Sequence, residues 1–206
     1  MKNWFIILVF ITMHPFFLFA QDTIFLSKDS ILQSPGCLVY FKGDTNIIID
    51  SNKEVIEGIL FKNSYLWTGR RLVLFKAGYP VKFNKNGDVV SAYLAERTTL
   101  WTGNQSLTFM AGTIAIFNDE GALIEGVLSR DQELNVQGKK IIFRRDEPIV
   151  FNDEGGIIEG RIDNREHLLN DHGRIKVYKA GSWLIFNDKS EVIEGEEESS
   201  KEDDVN

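Results

Sequence analysis

Five leucines, Leu32, Leu66, Leu100, Leu134 and Leu168, stand 34 residues apart along the chain, and a fixed period of this length is the signature of a repeat architecture. Other apolar columns keep the same step. Phe41, Phe75, Phe109 and Phe143 share the interval, with Tyr178 following after a one-residue insertion, and Ile49, Phe83, Phe117, Phe151 and Phe186 repeat it with the same slip. Leu60, Leu94, Leu128 and Ile162 form another column. One such unit cannot bury its apolar face alone, so neighbouring units must share a continuous core.

Inside a unit the apolar runs are too short for helices. Thr113-Ile114-Ala115-Ile116-Phe117 is closed off by Asn118-Asp119-Glu120-Gly121, and short runs bounded by such clusters read as strands. An Asn bonding to its own turn, followed three residues later by a Gly free to adopt positive φ, marks a type I turn with a Gly bulge between antiparallel strands. Asn84–Gly87 and Asn152–Gly155 repeat that turn, whereas Asp50–Lys53 and Asn187–Ser190 lack its Gly. A non-Gly residue in the left-handed position there costs about 1 kcal/mol. A second hairpin, such as Thr99–Phe109, completes four strands per unit. Read this way, the chain enters with the hairpin Ser30–Phe41, leaves with Ser182–Gly195, and holds five units.

The expected fold is all-β, with tandem 34-residue repeats of short antiparallel strands forming an elongated meander. A parallel β-solenoid is the runner-up, and a five-bladed propeller the third possibility. The column Glu57, Glu125, Glu159 and Glu194, with Ser91 in the odd copy, favours the meander. A solenoid would stack these carboxylates about 4.8 Å apart, like charge on like charge, whereas in a meander four strands are expected to separate them.

The phrases Phe75-Lys76-Ala77-Gly78, Phe109-Met110-Ala111-Gly112-Thr113, Phe83-Asn84-Lys85-Asn86-Gly87 and Tyr93-Leu94-Ala95-Glu96 resemble exported bacterial β-repeat proteins built on F-x-A-G-T, F-N-x-x-G and G-x-L-A elements, and distantly resemble MORN-type repeats. The Tyr-Glu-Gly opening of MORN units is absent, and the period of 34 is longer than theirs. The resemblance implies a scaffold or interaction surface and carries over no catalytic residue.

Three domains are expected: a signal peptide over 1–20, a single β-repeat domain over 21–195, and an acidic disordered tail over 196–206. Residues 1–20 pair Lys2 with an apolar run ending Leu18-Phe19-Ala20, the anatomy of a leader cleaved after Ala20. His14 and Pro15 keep it short of a spanning helix, so no transmembrane segment is expected after cleavage. The protein is then secreted, periplasmic or at the cell surface. The formal charge is −7 and is concentrated at the C-terminus, where Glu194–Asn206 carries seven acids against Lys201. The near-neutral body excludes nucleic acid as an expected partner, because phosphate binding needs a basic face.

Candidate sites are few. The Glu column, each member followed by Gly58, Gly126, Gly160 or Gly195, reads either as carboxylates presented to a basic ligand or as a place where the Phe column packs over bare backbone. Trp67, Trp101 and Trp183 are candidate aromatic contacts for a glycan or peptide, or packing residues. The acids of Asn118–Gly121 and Asn152–Gly155 are adjacent rather than alternating, which suits turn chemistry and not calcium. His167 and His172 have no repeated nucleophile beside them, and no P-loop, HExxH or nucleophile elbow occurs. No catalytic residue, metal or cofactor is expected. The lone Cys37 shares a column with Arg71, Gln105 and Lys139 and is expected to be part-exposed, leaving a thiol or an intermolecular disulfide open. Basic residues on the second hairpins, among them Lys139 and Lys176, could receive the acidic tail. The reading that follows is a non-enzymatic exported repeat protein offering a structural or protein-interaction surface in the envelope or outside the cell. The alternative is a carbohydrate-binding module using its Trp residues. The partner is unknown, protein or glycan, and open sheet edges leave room for edge-to-edge self-association.

Overall fold

The computed structural model describes residues 21–198, so the leader reading for 1–20 and the tail residues 199–206 lie outside the described residues. Every regular element among the described residues is a strand. Unit one holds β1 (Asp22–Leu26), β2 (Ser30–Ser34), β3 (Cys37–Phe41) and β4 (Thr45–Ile49). Unit two holds β5 (Val55–Ile59), β6 (Ser64–Trp67), β7 (Leu72–Phe75) and β8 (Pro80–Phe83). Unit three holds β9 (Val89–Tyr93), β10 (Thr98–Trp101), β11 (Ser106–Phe109) and β12 (Ile114–Phe117). Unit four holds β13 (Leu123–Val127), β14 (Gln132–Val136), β15 (Lys139–Phe143) and β16 (Pro148–Phe151). Unit five holds β17 (Ile157–Arg161), β18 (Glu166–Leu169), β19 (Ile175–Tyr178) and β20 (Trp183–Phe186), after which β21 (Val192–Gly195) closes the array.

Eleven strands form one antiparallel sheet in the order β1-β4-β5-β8-β9-β12-β13-β16-β17-β20-β21. The remaining ten form five separate hairpins. The meander is therefore the fold, and neither a solenoid nor a propeller is built. It uses only the outer strands of each unit, while the inner two fold over one face as a second layer. The reason lies in the alternation of side chains. In β3, Val39 and Phe41 are buried while Leu38 and Tyr40 are exposed, and in β4, Ile47 and Ile49 are buried. Both layers thus have an apolar face, and stacking them is the way to take both from water.

Two expectations are corrected. The repeat begins one strand before Ser30, because Thr23 stands 34 residues ahead of Glu57 and pairs with Ile48 as Glu57 pairs with Lys82. The Glu column is also closer-set than expected, since the hairpins leave the sheet and only one strand lies between successive members.

The Phe column is the centre of the core. Phe41, Phe75 and Phe109 are fully buried, and a Cβ added to Gly58, Gly126 or Gly160 would come within 2.6, 2.8 or 2.9 Å of the ring of Phe41, Phe109 or Phe143. The glycine after each Glu is therefore an aromatic seat. Each sheet hairpin has the expected turn: Asn118 Oδ1 accepts the amides of Glu120 and Ala122 at 3.1 and 2.9 Å, and Gly121 has φ +72°. Where Gly is missing, Lys53 and Ser190 take the left-handed conformation at φ 65° and 62°.

Consecutive units are also joined at their tips. The turn of each hairpin in the second layer packs on the sheet turn of the following unit, so closely that a Cβ on Gly121 would meet the Thr68 carbonyl oxygen at 2.0 Å. In unit four the side chain of Gln137 makes this joint. Its Nε2 donates to the carbonyls of Leu169 (2.9 Å) and Ser190 (2.7 Å), and its Oε1 accepts the Leu169 amide at 2.8 Å. The last hairpin has no following turn, and its tip instead rests on the edge of β21, where the Asp171 amide donates to the Val192 carbonyl at 3.1 Å.

Candidate functional site

The bulge in each sheet hairpin decides what the outer face of the sheet presents. Val55 and Gly58 point into the core, whereas Ile56, Glu57 and Ile59 are half-buried on the other side, because the extra residue of a bulge lets two successive side chains emerge together. The same burial pattern recurs in β9, β13 and β17.

Register aligns these positions into one row across the sheet. Ile48 pairs with Glu57, Glu57 with Lys82, Lys82 with Ser91, and Ser91 with Ile116. The row continues through Glu125, Val150, Glu159 and Ile185 to Glu194. Glu125, Glu159 and Glu194 lie two strands apart, or about 9.6 Å at normal sheet spacing, with Val150 and Ile185 between them. Beside the row stand Ile114, Val127 and Trp183 on one flank and the bulge residues Ile124 and Ile158 on the other, all half-buried. The face is branched-apolar and crossed by carboxylates on alternate strands.

The electrostatics of the row are mild. Two carboxylates at that spacing repel by about 0.4 kcal/mol in water before salt screening, so the unliganded fold tolerates them. Glu57 is neutralised by Lys82 at 3.0 Å, and Glu159 accepts the indole N–H of Trp183. Glu125 makes no side-chain hydrogen bond or ion pair with the described residues.

The three Trp candidates do not converge. Trp183 belongs to the outer sheet face, whereas Trp67 and Trp101 lie on the exposed side of the hairpin layer, opposite Leu72 and Ser106. Trp67 is 47% exposed and Tyr65 63%, and with Leu38 and Leu72 they line an open cleft of about 310 Å³ between the first two hairpins. Arg70 stands over the Trp101 ring.

The remaining candidates resolve into structure. Cys37 is part-buried on this cleft, and burial raises its thiol pKa. Arg71 and Lys139 in its column tie neighbouring hairpins together, donating to the carbonyls of Thr99 (3.1 Å) and His167 (2.7 Å). His167 faces Arg165 at 3.3 Å, while His172 sits at the hairpin tip beside Asp171. The turn acids are exposed, Asp153 accepting the side-chain N–H of Asn118 from the neighbouring turn at 2.8 Å, while Asn118 and Asn152 spend their side-chain oxygens on backbone amides. Among the described residues no group of three or more His, Cys, Asp or Glu is placed to hold a metal ion, and no helix is long and apolar enough to cross a membrane.

The start of the acidic tail is part of the fold. Glu196, Glu197 and Glu198 meet Lys179 (2.6 Å), Lys176 (2.8 Å) and Arg165, and Tyr178 bridges Glu197 as Phe143 bridges Ile162. Residues 196–198 of the expected tail are thus part of the fold. The anchoring by Lys179 lowers the Glu196 carboxyl pKa. Sequence reasoning placed these acids near the basic hairpins but missed Gln137, whose only signal was a Gln where units two and three have Gly69 and Gly103. No protein-family model matches the chain, and no curated protein matches its sequence.

Proposed function

We propose that this is a non-enzymatic, exported scaffold whose outer sheet face is a docking surface for a cationic, extended protein segment in the cell envelope or outside the cell. The observation that carries the reading is the row of Glu125, Glu159 and Glu194 set in branched-apolar residues. A sheet face of this composition has no internal need for carboxylates at regular intervals, and a spacing of about 9.6 Å is close to the three-residue repeat of a polyproline II segment, about 9.3 Å. A partner with Lys or Arg at every third position would meet one carboxylate per repeat and lay apolar residues on the intervening Val150 and Ile185. Export rests on the leader anatomy of residues 1–20, and the scaffold role agrees with the distant MORN-like resemblance.

Crosslinked capture from envelope and secreted fractions tests it, comparing the native chain with a variant carrying Glu125→Gln, Glu159→Gln and Glu194→Gln. A basic partner lost in the variant, with capture weakening as salt rises, supports the assignment. Capture that is unchanged in the triple variant rejects this face. A second reading, a carbohydrate-binding module, is favoured by the exposed Tyr65, Trp67 and Leu72 beside the first cleft. Soluble glycans that shift Trp67 fluorescence without sensing the Glu substitutions would select it.

A further inference from the structure

The two ends of the array are finished differently. At the C-terminal end the hairpin tip Asn170–Gly173 caps the start of the β21 edge at Val192, and Glu196–Glu198 continue along β19. At the N-terminal end β1 has a partner on one side only among the described residues, β4. Ile24 and Phe25 are 42% and 62% exposed there, and Asp22, Thr23, Ile24 and Phe25 are all exposed.

The repeat shows which backbone groups β1 leaves open. Phe25 stands 34 residues before Ile59. The carbonyls of Ile59, Tyr93, Val127 and Arg161 each accept an amide from the preceding hairpin, donated by Lys42, Lys76, Met110 and Arg144 at 2.8–2.9 Å. No hairpin precedes β1 among the described residues. The Leu60 amide donates to Tyr79 of the next strand and the Leu26 carbonyl accepts from Asp44, so even-numbered residues of β1 bond towards β4. The N–H and C=O groups of Thr23 and Phe25 therefore point to the open edge, as alternation in antiparallel strands requires.

We propose that β1 pairs antiparallel with β1 of a second copy, joining two sheets across a two-fold axis at Ile24. In that register Thr23 and Phe25 of each copy exchange hydrogen bonds with Phe25 and Thr23 of the other, and the two Ile24 side chains meet as a close, non-hydrogen-bonded pair on the core side. Three features choose a second copy over continued head-to-tail growth. Every strand of the β4 type already has neighbours on both sides, so no folded copy can supply the strand that would extend the repeat. Strand β1 carries neither Pro nor Lys nor a bulge, and its one charge, Asp22 at the strand's start, is paired with Lys53 at 3.1 Å. The surroundings mix Lys28, Lys42 and Lys53 with Asp22, Asp29 and Asp44, so two such ends do not repel, whereas the acidic C-terminal ends do.

Sedimentation equilibrium of the chain from Gln21, which holds all the described strands, tests this between about 1 μM and 1 mM, the range in which weak assemblies dissociate. A doubling of the mass with rising concentration is expected. Thr23→Pro removes an N–H that points away from β4, so it should leave the fold intact by circular dichroism and abolish the doubling. In a Cys37→Ser background, Ile24→Cys should oxidise to a disulfide-linked dimer, because Cα atoms about 4.5 Å apart lie within disulfide reach; Leu26→Cys should not. A monomer throughout the range, a dimer that survives Thr23→Pro, or equal crosslinking at Leu26→Cys would overturn the proposal.

Discussion

Replacing Gly126 with Ala isolates the contact on which the repeat is built. Two effects oppose each other. Alanine in a strand interior is favoured over glycine by about 0.5–1 kcal/mol, because it loses less backbone freedom on folding. Against that, the new Cβ would lie 2.8 Å from Cδ1 of Phe109, with Leu123 at 3.4 Å behind it. Normal carbon contacts need about 3.5–4.0 Å, so the ring must retreat by close to 1 Å into a core where Phe109 is already 0% exposed. Overpacking of that kind costs about 1–3 kcal/mol. The net expectation is destabilisation by about 0.5–2 kcal/mol, a fall of roughly 1–8 °C in melting temperature for a chain of this size.

The assay is urea and thermal unfolding of Gly126→Ala, alone and combined with Phe109→Leu. The smaller side chain should remove most of the penalty, giving a coupling of at least about 0.5 kcal/mol between the two sites. Unit three is the natural control. Ala92 occupies the equivalent place at 1% exposure, and the Phe75 ring there meets Phe117 edge-on at 6.2 Å. If Gly126→Ala were more stable than the native chain, the glycine would be an ordinary strand glycine and the aromatic-seat account would fail.

Ser190→Gly should stabilise by about 0.5–1 kcal/mol in urea unfolding, since Ser190 holds φ 62° at a left-handed cost that glycine avoids. Gln137→Ala removes three hydrogen bonds between units four and five and should cost about 1–3 kcal/mol, with hydrogen exchange speeding up at the Leu169 amide. The depressed Glu196 carboxyl pKa, caused first by its hydrogen bond to Lys179 and then by that charge, makes the docking of residues 196–198 pH-dependent. A group whose folded pKa is lowered stabilises above its unfolded pKa and loses that contribution as pH falls through the folded value. Exchange at the Glu198 and Lys179 amides should therefore show loosening below the ordinary glutamate range, while the Phe core stays protected.

What the sequence discloses and what it hides divide along range. The 34-residue period, the Asn-x-x-Gly turns and the alternation within strands are local, and each maps on a strand or turn in its expected place. The separation into two layers is not local. Nothing in Ser64–Phe75 alone says that this hairpin leaves the sheet, because its alternation suits a meander strand as well as a stacked one. That ambiguity is why the Glu column was expected at twice its true spacing. Strand β1 was hidden for a different reason: Ile24 stands where the later units have Gly58, Ala92, Gly126 and Gly160, and with no hairpin above it among the described residues the seat for an aromatic ring is not needed. The candidate site is half legible in the same sense. The Glu and Gly columns are visible in sequence, but only the bulge shows that Glu turns outward while Gly turns in.

That geometry separates two demands on each unit. The glycine is fixed by the ring above it, so it answers to stability; the Glu beside it projects from the opposite face and touches no part of the core. A change at Glu125 can therefore be made without disturbing Phe109, only one residue removed along β13 from the contact that holds it. The odd copy supports the separation, because Ser91 and Ala92 depart from Glu and Gly together while Val89 and Leu94 stay buried on either side. A sheet built this way can carry a regular outer pattern without loss of core, and the chemistry of its outer face can be changed position by position. Unfolding free energies of the Glu125→Gln, Glu159→Gln and Glu194→Gln variants within about 0.5 kcal/mol of native, the range for surface substitutions, are the quantitative form of that independence. A larger loss at Glu159 alone would trace to its bond with Trp183, and a loss at all three would mean that the carboxylates belong to the fold.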